Sequence, residues 1–183
     1  MKDFVVYTAI SRGYDTLKPP PALWRDAAHF VAFMDVAPLA PGWEIRPLHH
    51  GFGDPCRNAK IHKILAHHYF PQARYSLWVD GSVLIHSPLP LREWIAQYLD
   101  GCDLAVFAHR CRQCIYVEAE HCIACGVDSP EVIQRQVCRY RDEGYPENNG
   151  LAECTVLLRR HTRQIELLNE TWHEEICRHS RRR

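Results

Sequence analysis

The stretch Trp78-Val79-Asp80-Gly81-Ser82 sets a carboxylate directly after an apolar run and directly before a glycine. A carboxylate that ends a buried strand can face a metal ion, a ribose or a sugar hydroxyl, and a neighbouring glycine lets a bulky ligand approach closely. Asp-Gly is also a common turn pair, so a capped turn accounts for the same residues. Further back, Asp54-Pro55 has the form of a helix start, with Asp54 as N-cap and Pro55 where a missing N–H is harmless. Arg57 and Lys60 fall in the first turns of that helix, where the macrodipole disfavours cations unless an anion lies in front. A diphosphate held by the helix N–H groups and both side chains satisfies that condition. Two solvated cations beside Asp54 are the plainer alternative.

A second region of possible chemistry runs from His109 to Cys125 and holds two Cys-x-x-Cys pairs, Cys111/Cys114 and Cys122/Cys125. Such pairs are the usual unit of a zinc knuckle, and a small zinc-binding interaction module built on these four thiols is the rival to an enzyme. The pairs lie closer together than zinc-ribbon spacing, and Ile115–Cys125 has helical character, so zinc is not expected and the thiols read as buried or incidental. Dinucleotide, P-loop, serine-hydrolase and zincin motifs are all missing. His49-His50 and His67-His68 are adjacent pairs whose side chains should diverge, which places them on the surface or in loops.

The elements that must position these residues alternate strand and helix. Asp3–Ile10, His29–Asp35, Tyr75–Asp80 and Asp103–His109 read as buried strands, with Trp43–Leu48 an edge strand because of Pro47. Val83–Ile85 reads as a short continuation, and Glu153–Leu158 as the last strand. Helices are expected from Asp54 to about Tyr69, over Pro90–Tyr98, over Ile115–Cys125, from Pro130 to Gly144 with Ser129 as N-cap, and at the end with Ile165, Leu168, Trp172 and Ile176 on one stripe. This is an α/β pattern, in which ligands bind at the carboxyl ends of strands, where Thr8, Asp35, Asp80 and His109 stand.

The chain has 183 residues, which suggests one domain over 1–183, and its 22 basic residues balance 22 acidic ones. That neutrality argues against a nucleic-acid coat protein, whose binding depends on a basic surface. The sequence holds no apolar run of transmembrane length, and an acid at position 3 spoils a secretory leader, so the expected compartment is the cytoplasm with the nine cysteines as thiols. The basic end Arg178–Arg183 reads as a solvated tail.

Taken in order, Val6-Tyr7-Thr8-Ala9-Ile10 with Gly13-Tyr14-Asp15, Phe33-Met34-Asp35, Arg57-Asn58-Ala59-Lys60, Ser76-Leu77-Trp78-Val79-Asp80-Gly81, His109-Arg110, Cys114-Ile115-Tyr116-Val117-Glu118-Ala119 and Gly150-Leu151-Ala152-Glu153 make the chain resemble a known family. This is the glycosyltransferase-like family formerly described as a domain of unknown function, with plant mucilage-related and bacterial members. The resemblance implies a single GT-A-like, Rossmann-like domain with a mostly parallel central sheet flanked by helices. It also implies a UDP- or GDP-sugar donor and an acceptor of unspecified chemistry. By similarity Thr8, Tyr14 and Asp35 face the nucleoside, Arg57 and Lys60 the diphosphate, and Asp80 the ribose or a Mn²⁺ or Mg²⁺ ion. Ser82 stands where related transferases carry a second acid. His109, Arg112, Tyr116 and Asn149 line the sugar or acceptor side, and Asp80, Glu118 and Glu153 are the acids expected to take part in catalysis. The family's segment after the last helix carries an Asp and a Gln not found before Arg183, so a catalytically silent nucleotide-sugar binder is a further expectation.

Overall fold

The computed structural model describes residues 3–181, so Arg182 and Arg183 of the basic end lie outside the described residues. The strands are β1 (Phe4–Ile10), β2 (His29–Met34), β3 (Glu44–Pro47), β4 (Tyr75–Val79), β5 (Leu104–Ala108) and β6 (Ala152–Arg160). They form one mixed sheet in the order β3-β2-β1-β4-β6-β5. The pairs β1–β2, β1–β4 and β2–β3 are parallel, whereas β4–β6 is antiparallel. The α-helices are α1 (Pro55–Ile64), α2 (Ala66–Tyr69), α3 (Leu91–Tyr98), α4 (Ile115–Ala124), α5 (Pro130–Asp142) and α6 (Arg163–Arg178). The architecture is therefore the α/β arrangement with a mostly parallel sheet and flanking helices that the strand pattern implies.

The chain gathers into two compact units, Met1–Ala105 with Thr155–Glu170, and Val106–Cys154 with Thr171–Arg183. In the first, β1 and β4 are apolar on both faces because they lie inside the sheet, and Phe4, Val6, Phe30, Leu77, Val79 and Leu158 pack with Trp24 and Leu91 into one core. In the second, α4 and α5 pack together through two small clusters, Cys114 with Tyr116 and Tyr140, and Ala119 with Cys122 and Ile133. Cys114, Cys122 and the helical spacing of Tyr116 and Ala119 are thus core features, as buried thiols commonly are.

Several local expectations change. The helix from Asp54 breaks at Leu65, whose ψ of 46° leaves α-helical space, and resumes as the single turn α2. Residues 83–85 form no strand; they follow a turn closed by the Val83 N–H on the Asp80 carbonyl. β5 ends the sheet order rather than lying inside it, and Phe107 is accordingly 58% exposed. Ser129 donates its hydroxyl to Glu131 instead of capping the helix backbone. In α6 the buried positions are Ile165, Asn169 and Ile176; the two isoleucines of the expected stripe face inward, but Asn169 takes the inward place between them and Leu168 lies outside.

As far as Arg181 the basic end is held in place rather than free. Within the second unit, Asp128 accepts from the Ser180 hydroxyl and the Arg181 N–H, each at 2.9 Å, and the Arg181 guanidinium donates to the Val127 carbonyl. Burial works against ionisation of Asp128, but the N–H groups of Arg181 and Ser129 and the Ser180 hydroxyl outweigh it and hold its pKa below the usual carboxylate value. These bonds fix the chain as far as Arg181.

Candidate functional site

Asp80 sits immediately after β4, at the carboxyl end of a strand paired in parallel with β1. Its N–H donates to the Thr155 carbonyl, which holds the backbone against β6. Its Oδ1 receives two hydrogen bonds, from the Trp78 indole N–H at 2.6 Å and from the Lys63 ammonium at 3.0 Å. The Lys63 nitrogen also lies 5.4 Å from the centre of the Trp78 ring, close enough for a cation–π contribution. Lys63 is buried in the last turn of α1. Its carbonyl accepts from the Tyr7 hydroxyl at 2.9 Å and from the buried Arg159 guanidinium at 3.0 Å. β1 and β6 therefore fix the backbone of the residue whose side chain meets Asp80.

Asp80 and Thr8 line one cleft, together with Lys18, Trp43, Gly81 and Val83. Thr8 is 1% exposed, and its hydroxyl has no hydrogen-bond partner among the described residues. A buried hydroxyl without a partner is costly unless something enters to meet it. Gly81 is required by the chain itself as well: a Cβ there would come within 2.7 Å of Asp15 Cβ and 2.9 Å of Ile10 Cγ1. Gly81→Ala is expected to destabilise the protein by about 2 kcal/mol through overpacking, read as a clear fall in melting temperature. An unchanged melting curve would show that this close approach is absent.

The other expected donor contacts divide by location. Asp35 accepts from the Arg12 N–H, and Tyr14 closes the turn after β1 through its N–H to the Ser11 carbonyl, so both stand near the carboxyl ends of β1 and β2. Tyr14 is 89% exposed, leaving its ring presented to solvent. Asp54 caps α1 as expected, accepting from the Cys56 N–H at 2.9 Å. Arg57 Nε lies 3.9 Å from Asp54, and Lys60 is half-buried one turn on.

In the second unit, His109, Arg112 and Glu118 form one cluster. His109 Nδ1 accepts from the N–H groups of Cys111 and Arg112, which leaves the ring proton on Nε2. Its Nε2 lies 3.0 Å from the Arg112 guanidinium, which brings guanidinium and imidazole together at this point. Arg112 also pairs with Glu118, which in turn accepts from the Cys122 thiol at 3.5 Å. Tyr116 is packed in the core, donating to the Tyr145 carbonyl at 2.7 Å beneath the Arg141 guanidinium. Asn149 lies in an exposed turn between Asn148 and Gly150, both at positive φ. The N–H groups of Asn148 and Val117 point at the Cys114 sulfur and lower its pKa, which fixes that turn onto the start of α4. Glu153 lies on β6, half-buried.

Two donor sets were candidates for metal. At Asp80, Oδ1 already receives an ammonium and an indole N–H and Ser82 supplies no second carboxylate, so Asp80 offers a divalent cation its Oδ2 alone. Cys111, Cys114, Cys122 and Cys125 belong to no cluster of ligand atoms among the described residues. Two are buried and two exposed, because α4 carries the chain away between the pairs.

Lys63 is the residue that sequence reasoning missed. It lies three and six positions after Lys60 and Arg57, so a helical reading of all three cations would have put them on neighbouring rows.

A family model described as TOD1/MUCI70, glycosyltransferase-like domain, matches residues 43–183. The chain is 28% identical over 208 aligned residues to a probable hexosyltransferase, MUCI70, of Arabidopsis thaliana. That alignment takes in 99% of this chain and 36% of the relative, so the chain spans about a third of its length. No solved structure matches.

Proposed function

The chain belongs to the TOD1/MUCI70 glycosyltransferase-like domain family, and from that premise we propose that it transfers a hexosyl group from a UDP- or GDP-sugar to an acceptor. The observation that carries the reading is the Lys63–Asp80–Trp78 constellation beside the Thr8 hydroxyl, which has no partner among the described residues, at the strand ends where α/β sheets bind ligands. The cleft is open to solvent and has about 10 Å³ of enclosed room, enough for about one water, so a donor lies across its mouth rather than inside it.

In the transfer the anomeric carbon–phosphate oxygen bond breaks, the diphosphate leaves with the electron pair, and a bond forms from the acceptor oxygen, whose proton goes to a base. Negative charge grows on the diphosphate as positive charge grows on the sugar. The Lys63 ammonium, with Arg57 and Lys60 on the same helix, supplies fixed positive charge for the leaving group. Asp80 accepts from a ribose or sugar hydroxyl, and Thr8 completes the polar lining. Tyr14 and Asp35 meet the nucleoside. His109, Arg112 and Asn149 contact the sugar or acceptor, with Tyr116 shaping that region from within the core. Glu118 or Glu153 receives the acceptor's proton. We propose the cytoplasm as the compartment, supported by nine cysteines that form no disulfide. Among the described residues no helix is long and apolar enough to cross a membrane.

Calorimetric titration of the whole chain with UDP- and GDP-hexoses tests the reading. Binding of one donor class is expected, with equal affinity in Mn²⁺ and in EDTA because the Lys63 ammonium already balances the Asp80 carboxylate and Ser82 supplies no second acid. Absence of binding to every sugar nucleotide in both conditions overturns it.

A further inference from the structure

The adjacent histidines of α2, expected to diverge, converge. His67 Nε2 lies 3.0 Å and His68 Nε2 2.8 Å from the same oxygen of Glu170, which α6 brings from about a hundred residues away in sequence. Neighbouring residues on a helix differ by about 100° in direction, yet α2 is one turn long, and two long side chains can fold inward from either side of a third residue. The three candidate ligand atoms all lie within 4.8 Å of one another, and theirs is the single group of this kind found among the described residues.

We propose that His67, His68 and Glu170 form a binding site for a borderline-soft divalent cation, zinc foremost, which ties α2 to α6. Two imidazoles and a carboxylate are a zinc ligand set, with water in the fourth position. Tetrahedral bonds of about 2.0–2.1 Å place ligand atoms about 3.3 Å apart, so the N···O distances of 2.8 and 3.0 Å need to open by only a few tenths of an ångström. Imidazole favours zinc over magnesium and manganese, which prefer oxygen. His68 is 53% exposed, and this open side leaves room for ion and water to arrive.

A second observation lies behind the ligands. Asn169 is 1% exposed, its Nδ2 is 3.5 Å from His67 Nδ1, and its Oδ1 has no hydrogen-bond partner among the described residues. Amide oxygen and nitrogen have nearly the same shape, so turning the amide over brings Oδ1 to His67 Nδ1. Oδ1 then accepts the ring proton from Nδ1, and Nε2 is left with its lone pair directed at Glu170. This is the arrangement by which a carbonyl behind a metal-bound imidazole fixes its tautomer. The same turn gives the buried oxygen a partner. The site uses no residue of the Asp80 cleft and stands or falls independently of sugar transfer.

The test is calorimetric titration of chelator-stripped whole chain with zinc chloride, with magnesium and manganese chloride alongside. One zinc per chain with micromolar or tighter affinity is expected, with no comparable uptake of the other two ions and a rise in melting temperature on zinc addition. His68→Ala removes one half-exposed ligand and Glu170→Gln turns another into a neutral amide of the same shape; both are expected to keep the metal-free melting temperature and to weaken zinc binding at least tenfold. Cys111→Ser and Cys125→Ser are expected to leave it unchanged. The proposal is overturned if the wild-type chain takes up no zinc, or if zinc binding survives intact in both ligand variants.

Discussion

Lys63→Met is expected to weaken binding of the sugar nucleotide by roughly 10- to 100-fold, the worth of one charge-assisted hydrogen bond at about 1.5–3 kcal/mol. Methionine keeps the aliphatic stem against Trp78 and removes only the charge, and the Trp78 indole N–H continues to serve Asp80. The stability change is smaller. Breaking a fully buried ion pair costs about 3–5 kcal/mol, but Asp80 is a third exposed, so about 1–2 kcal/mol is expected here. Urea denaturation and donor titration of the same preparations separate the two effects. Lys63→Arg, which restores the charge with a different shape, should recover part of the affinity. Unchanged donor binding in Lys63→Met would move the diphosphate to Arg57 and Lys60 alone.

The second large effect is on stability against acid. His62 is buried against Phe33, ring centres 3.8 Å apart, and its Nε2 accepts the His49 N–H, so protonation there breaks that bond. Burial, with His49 nearby, lowers its pKa from 6.5 to about 3. Burial, with Arg159 and His67 nearby, lowers that of His161 from 6.5 to about 4. Both rings stay neutral in the folded chain while the unfolded chain takes up protons below pH 6.5. Their contribution is complete above pH 6.5 and is lost as pH falls towards 4 and 3, at up to about 1.4 kcal/mol per pH unit for each group. Against a total of about 5–15 kcal/mol, the combined loss of about 4 kcal/mol by pH 5 is a large share of the stability. Urea midpoints at pH 7.5, 6.0 and 5.0 should fall steadily, with a shallower fall in His62→Gln. A midpoint that holds constant over that range contradicts the assignment.

The parts of the fold that were legible are those in which a local signal and the tertiary setting agree. β1, β2 and β4 are continuous apolar runs because they are covered on both faces, and Pro47 marks β3 as an edge strand since proline cannot extend a ladder. Asp54-Pro55 announces α1 because capping is a property of four adjacent residues. What was hidden depends on distant partners. Nothing in Ile64-Leu65-Ala66 is a helix breaker, so the break at Leu65 belongs to packing rather than propensity. β5 is as apolar as a central strand although it ends the sheet. Asn169 occupies a core position of α6 that an apolar stripe assigns to Leu168. In the candidate site Asp80 and Thr8 could be found from their place after or within a buried strand. Lys63 could not be found from an apolar pattern, because it is a cation buried for its contact with Asp80. The meeting of His67 and His68 was invisible without Glu170.

The break at Leu65 also sets an order of events. α1 is only ten residues long, and its last turn holds both the acid-sensitive His62 and the cleft lysine Lys63. A short helix that stops there has no further turns to share the load when His62 takes up a proton. Mild acid should therefore loosen this segment before the sheet yields, as a local opening of residues 55–65. Ligand capacity then ends at a higher pH than the fold does, and the first symptom of acidification is a protein that is still folded and already empty-handed.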